Sequence, residues 1–398
     1  MLKLNFTQFQ TFLASASFLI LFPGFFFYHY GVAAEFFPPY LSGYFGIISI
    51  FLIVPLFLMN IKMVINNFYF PVALFFIIML YTLSVTIIQY SKANPLNASQ
   101  EMFEWGIAGI VFNIVCFCLA SRLSIQKIAT IGYWTVYVMV LIVLFNIDTN
   151  YRFFYLKAQA GELSDVVAGY QQIARSIVVI LLIGSAYFYQ RSFRLYSLVI
   201  LGVIALFFNG ARSEFVLFIA SFLFLIFTHS IKSTKTLVFM FFIFLMAIFF
   251  LMNLFSVLPQ TRMTTLLTLT DASTLLRISQ IEFAINQISQ FPFLGNYASY
   301  VDEFGGTGSV PHNILSAWLN LGLLGFVLYI FMFIALWGSA LRGFLNNEKD
   351  IYFNLFLIFL VFTTAALVVT KVYSYMFVGL LLGFYIQYRN KLDFAKKN

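Results

Sequence analysis

The stretch LPQTRMTTLLTLTDASTLLRISQIEFAINQISQFPFLGNYASYVDEFGGTGSVPH, Leu258 to His312, is the one long polar interruption in an otherwise oily chain. It holds two arginines, Arg262 and Arg277, and runs into Pro311-His312-Asn313. Apolar runs flank it on both sides, each of about 17 to 22 residues, the length a helix needs to cross the hydrocarbon of a bilayer. The fold is decided by that contrast: a large extramembrane loop set among membrane helices. Of 398 residues, 62% are hydrophobic and 9% charged, against roughly 25% charged in a soluble domain. A soluble protein has nowhere to hide that much apolar surface, so the class is an all-α polytopic membrane protein whose solvent is lipid.

Working outward, the apolar runs number twelve, near 11–33, 43–60, 69–90, 105–121, 128–147, 173–189, 195–210, 212–228, 236–257, 313–338, 351–370 and 372–388. One membrane domain over 1–398 is expected, with residues 258–312 as its large loop. Lys and Arg placement orients this plan, because cytoplasmic loops carry an excess of both. With the amino terminus inside, the inner loops take 14 of the 22 basic residues and only three acids, Glu348, Asp350 and Asp393. The outer side takes eight basic and eleven acidic residues, so the net +8 divides into +11 inside and −3 outside. Both termini are therefore expected in the cytoplasm and the large loop on the outer side. The same split accounts for the basic pI by orientation and removes a nucleic-acid partner.

Eight cations stand on the outer side against that bias: Lys92, Arg152, Lys157, Arg175, Arg212, Arg262, Arg277 and Lys371. The planar arginine fork fits phosphate oxygens in a bidentate way and stays charged. Arginines at helix ends also snorkel to the interface or pair with local acids. Cys116 and Cys118 are two residues apart on one apolar helix and point about 200° apart, so they cannot jointly hold a metal. The run 11–33 is too long, and lacks the small-residue site, for a cleavable signal peptide.

Inside the loop, Asp271-Ala272-Ser273-Thr274 suits a helix start, and Ile278, Ile281, Ile285 and Ile288 recur at spacings of three and four. That pattern is an amphipathic helix ended by Pro292 and Gly295, with Arg277 in its first turns, lying on the outer membrane face with its isoleucines down. Gly305, Gly306 and Gly308 then let backbone approach a ligand, but no lysine follows at P-loop spacing. His312 stands at the mouth of the tenth span. A near-neutral imidazole can take a proton from a hydroxyl, and the Asn313 amide can orient the ring or a substrate. His29 and His229 occupy helix ends with no such context.

Three pieces, in order, resemble the O-antigen polymerase and O-antigen ligase superfamily of bacterial envelope enzymes: Asn209-Gly210-Ala211-Arg212-Ser213-Glu214; Ser273-Thr274-Leu275-Leu276-Arg277 followed by Phe291-Pro292-Phe293-Leu294-Gly295; and His312-Asn313 followed by Gly322-Leu323-Leu324-Gly325. The resemblance implies transfer of a glycan from an undecaprenyl-pyrophosphate-linked oligosaccharide at the periplasmic face, without a metal or other cofactor. It makes Arg212 and Arg277 the pyrophosphate ligands and His312 the residue at the acceptor hydroxyl. Arg175, Arg262 and Asn313 join them in binding substrate, and a chain-length regulator protein becomes a possible partner. Glu214, two residues after Arg212, is an alternative partner for that arginine. Within the superfamily a polymerase, moving the chain onto another lipid-linked repeat, is favoured over a ligase, moving it onto the lipid A core, because a net −3 outer face suits a heavily phosphorylated core poorly. A lipid-linked oligosaccharide transporter is the reading from another class; no internal repeat is evident, and the charges cluster at span ends.

Overall fold

The structure, a computed structural model, describes residues 6–36, 38, 44–66, 69–90, 96–147, 153, 170–230, 272–305 and 309–397. Most of these residues are helical, and none lies in a strand. The helices are α1 (Phe6–Leu21), α2 (Pro23–Ala33), α3 (Tyr44–Asn66), α4 (Phe70–Tyr90), α5 (Leu96–Arg122), α6 (Ile125–Phe145), α7 (Tyr170–Phe188), α8 (Ser192–Asn209), α9 (Arg212–Ser230), α10 (Ala272–Gln290), α11 (Ser299–Phe304), α12 (Leu315–Leu345), α13 (Ile351–Val369) and α14 (Phe377–Lys397).

Among the described residues eight helices are long and apolar enough to cross a membrane, the first of them α1 and α2 taken together across Pro23. Two more apolar helices, Gly106–Arg122 and Phe193–Asn209, are shorter. The expected ninth span, 236–257, lies outside the described residues, as do Arg152 and Arg262. The other expected spans overlap described helices, but α14, at the last of them (372–388), is not among those long and apolar enough to cross; the chain is a multi-pass membrane protein.

The helices group into two compact units that interleave in sequence. The first draws on the described parts of Met1–Ile48, Leu123–Leu269 and Glu348–Phe362. Its centre is α7, which packs against α2, α6, α8 and α9 and buries nearly every side chain from Ile173 to Phe188. α7 and α8 approach closely through a reciprocal exchange: Gly184 lies under Leu198, and Gly202 lies under Leu181. Removing a Cβ on each side lets the leucine of the facing helix fill the space, the usual way helices gain van der Waals contact where lipid offers no hydrophobic drive. His229, on α9, bonds Asn354 Oδ1 through Nε2 at 2.7 Å and lies over the Tyr189 ring at 4.1 Å. His29 sits within α2 and packs against Phe25, 4.4 Å between ring centres. Both have specific neighbours, contrary to the bland surroundings expected of them.

The second unit draws on Ser49–Arg122, Thr270–Asn347 and Thr363–Asn398. Its densest contact joins α14 to α5. The sequence Gly379-Leu380-Leu381-Leu382-Gly383 presents two glycines one turn apart, and a Cβ on Gly379 would collide with Asn113 O, one on Gly383 with Phe117 O at 2.6 Å. Asn113 clasps the junction from both sides, donating Nδ2 to Ser374 O at 2.9 Å and accepting from Gly379 N at 3.0 Å. Its amide is buried and fully used, as a polar group in an apolar interior must be. α4 then packs against α5 and α12, and α10 against α12.

Candidate functional site

Helix α12 is 31 residues long but is broken at Gly322, whose φ of 67° and ψ of −174° are not helical. The break releases the Leu319 and Leu321 carbonyls and the Leu323 amide from the helical ladder. Each finds a partner: Asn296 N donates to Leu319 O at 2.7 Å, Leu323 N to Pro292 O at 3.0 Å, and Tyr81 Oη to Leu321 O at 3.1 Å. Trp318 Nε1 also donates to Pro292 O, at 2.8 Å. A loop of residues 291–296 is thus plugged into the gap. The fit is backbone to backbone: a Cβ on Gly295 would lie 2.6 Å from Leu319 O and 2.7 Å from Gly322 N, and one on Gly322 would collide with Phe293 O. Two of the quoted sequence pieces, Phe291–Gly295 and Gly322–Gly325, are therefore the halves of one interlock. Irregular backbone at membrane level persists only where protein satisfies it in this way.

The interlock fixes α10 against the first segment of α12. Ala284 and Ile288 bury themselves against Leu315, Trp318 and Leu319, while Pro292, just past the end of α10, meets Leu323. These contacts fall between Leu315 and Leu323, so the end of α10 is held against the start of α12. Arg277, Gln280, Ala284 and Ile288 share one face by their spacing of three and four. Arg277 is half-buried and Gln280 is 2% exposed. The isoleucine stripe read from sequence is therefore divided: Ile288 is buried in the contact, whereas Ile278 and Ile285 remain exposed, as do Leu275, Leu276, Phe293 and Leu294.

His312 is half-buried. The residues after it hold the start of α12 rigidly. Asn313 Oδ1 accepts from Leu315 N at 3.0 Å, so this oxygen serves the first turn of the helix and leaves the Nδ2 amide as the end that can turn to the imidazole or a ligand. Ser316 Oγ donates to Asn313 O at 2.6 Å and accepts from Tyr373 N at 3.0 Å. Asn320 donates to Ser316 O at 2.8 Å and accepts from Ala298 N at 2.9 Å. Polar side chains at 313, 316 and 320 thus tie the helix start, the plugged loop and the turn before α14 into one framework.

Around that framework stand tyrosines. Tyr297 Oη shares a hydrogen bond with Thr86 Oγ1 at 3.0 Å, and Tyr329 Oη donates to Tyr373 O. Burial pushes the Tyr297 phenol up, with the Thr86 bond pulling the other way. Burial also raises Tyr300, so both phenols stay neutral at any working pH. Lys371, 4% exposed, sits in the turn before α14 with its ammonium 5.8 Å from the Tyr375 ring centre. Around this framework the second unit offers an imidazole, an ammonium and neutral hydroxyls.

Arg175 and Arg212 belong to the first unit. Gly210, with φ of 72°, closes α8, and Arg212 opens α9. Buried Asn209 donates Nδ2 to Tyr170 O at 2.7 Å, which joins this turn to the start of α7, so Arg175 in the second turn of α7 and Arg212 occupy the same end of the unit. Glu214 is fully buried, and its Oε2 accepts from Ser213 Oγ at 2.6 Å.

Of the six residues expected at a site, three (Arg277, His312, Asn313) lie in the second unit, two (Arg175, Arg212) lie in the first, and Arg262 is outside the described residues. Among the described residues no group of three His, Cys, Asp or Glu is placed to hold a metal. Cys116 and Cys118 are both buried in α5. Sequence reading missed Ser316, Asn320 and Gln280. The first two carried a signal, polar residues four apart inside an apolar span, which in a membrane segment marks a structural or functional cluster. No family model matches the chain, and no curated protein matches it.

Proposed function

We propose that the chain is a glycosyltransferase of the O-antigen polymerase kind, extending an undecaprenyl-pyrophosphate-linked glycan at the periplasmic face of a bacterial inner membrane. The observation that carries this reading is the packing of α10 on α12, which brings the helix that bears Arg277 against the helix that His312 precedes. A charge that binds an anion and an imidazole that accepts a proton then serve one reaction. The acceptor hydroxyl oxygen bonds to the anomeric carbon of the donor sugar as the bond from that carbon to the pyrophosphate oxygen breaks. The hydroxyl proton goes to His312, the leaving electron pair to undecaprenyl pyrophosphate, and Arg277 stabilises the charge that grows there. The products are a lengthened lipid-linked glycan and free undecaprenyl pyrophosphate. Arg212 and Arg175 enter through the resemblance alone, as further phosphate ligands, and the lipid-linked oligosaccharide and a chain-length regulator are the partners it implies.

The place of the break in α12 favours an interfacial enzyme over a transporter. From Leu323 to Leu345 the helix continues unbroken for about 34 Å, enough to cross the hydrocarbon by itself. A crossing made by that segment would set Gly322 near one interface, whereas transporters place their broken helices near the midplane. The test uses purified protein in lipid nanodiscs with lipid-linked oligosaccharide as the sole substrate. A ladder of longer lipid-linked glycans, abolished by His312→Ala, is the expected result. Product only on added lipid A core would replace the polymerase with a ligase, and movement of unchanged lipid across a vesicle would replace both with a transporter.

A further inference from the structure

Gln280 is buried to 2% exposure on the docking face of α10, and its Oε1 has no hydrogen-bond partner among the described residues. An amide oxygen left unsatisfied in a dry contact is unfavourable in the resting protein, and native structures keep such groups rarely. The docking itself has no need of the amide: Ala284 and Ile288, one and two turns on, pack with apolar atoms alone. A methionine or leucine at 280 would continue that contact at no polar cost. The orphan shares its helix face with Arg277, three residues before it.

We infer that Gln280 is a glycan-binding residue, its Oε1 accepting a hydrogen bond from a sugar hydroxyl of the lipid-linked substrate. The inference rests on the glycosyltransferase reading and names what that site recognises beyond phosphate: a carboxamide accepts from O–H, whereas a phosphate oxygen has no proton to give it. Arg277 would then hold the anionic end of the ligand, and Gln280, a helical turn further along, its neutral sugar.

The test pairs stability with binding in Gln280→Met, close in volume and free of polar atoms, with Gln280→Leu as a second variant should methionine pack poorly. Thermal unfolding is followed in detergent without ligand, with sugar-free undecaprenyl pyrophosphate, and with the native lipid-linked oligosaccharide extracted from source cells deleted for this chain. Without ligand the variant is expected to melt about 2–4 °C higher than the wild type, since it loses an unsatisfied buried group. The stabilisation by sugar-free lipid is expected to be unchanged, and the added stabilisation by the glycan to be lost, with affinity for the full substrate down about tenfold. A lower melting temperature in both variants would assign Gln280 a structural bond and overturn the inference, as would a glycan-dependent shift that survives the substitution. Failure of the wild type to respond to either lipid would instead sink the glycosyltransferase reading and the glycan role with it, while a raised melting temperature would still record the orphaned amide.

Discussion

Gly210 and Gly322 hold nearly the same positive φ, 72° and 67°, and each ends a run of helix, yet they occupy opposite kinds of place. At Gly210 an added Cβ meets nothing within 4 Å; at Gly322 it collides with Phe293 O and lies 2.6 Å from the Leu294 carbonyl carbon. The first glycine is needed for a dihedral angle alone. The second is needed for a dihedral angle and for room. The two sit in sequence pieces of equal standing, Asn209-Gly210 and Leu321-Gly322, so the comparison teaches that a motif glycine can mark a turn or a backbone-to-backbone joint, and that only the surroundings tell which.

Gly322→Ala is the severest test of that difference. Its ψ near 180° with positive φ belongs to a region essentially reserved for glycine, and the methyl must also displace the 291–296 loop. Destabilisation above about 4 kcal/mol is expected, read as loss of monodisperse protein on size exclusion together with loss of glycan extension. Gly295→Ala should fail in the same way, because its Cβ would meet the other side of the joint. A well-folded Gly322→Ala protein would show that the two strips of backbone are not interlocked.

His312→Ala and Arg277→Ala probe the proposed chemistry. Each is expected to slow glycan extension by about a hundredfold, as the loss of one transition-state contact commonly does, with the melting temperature within about 2 °C of wild type. The contrast with Gly322→Ala lies in that separation of rate from stability. Equal losses of both would return His312 to a packing role. Asn320→Leu comes next: it strips Ala298 N and Ser316 O of their partner and should cost about 1–3 kcal/mol, measured by thermal unfolding, with a smaller loss of rate as His312 drifts.

What was legible in this molecule followed from composition and period. Spans of apolar residues gave the helices because lipid permits little else, and the three-and-four spacing from Ile278 to Ile288 placed α10 within a residue or two of its ends, Ala272 and Gln290. Its docking face was not legible. Hydrophobicity pointed to the isoleucines, but the contact is made by Ala284 and Ile288, where a small side chain lets backbones approach and α12 supplies Leu315 and Leu319. The break at Gly322 was hidden for a related reason. In Leu319-Asn320-Leu321-Gly322-Leu323-Leu324-Gly325 the glycine reads as ordinary span interior, since membrane helices tolerate glycine freely, and only a loop folded back from about thirty residues upstream makes it a joint. The two interleaved units could not be foreseen, because each is assembled from three separated segments.

Gly210→Ala closes the comparison from the mild end. The substitution places alanine in the left-handed region, which costs roughly 1–2 kcal/mol, and lowers the entropy of the unfolded chain, which offsets some of that cost. No collision adds to it, because the space beside Gly210 is open. A net loss near 1 kcal/mol is therefore expected, a few degrees at most in melting temperature for a chain of this size. Arg212 lies two residues on, at the first turn of α9, and the buried clasp from Asn209 to Tyr170 holds the turn in place. Glycan extension should then stay within about twofold of wild type. A large loss of activity at unchanged stability would mean that the open space beside Gly210 is where the substrate lies, and would bring the less demanding of the two glycines into the site.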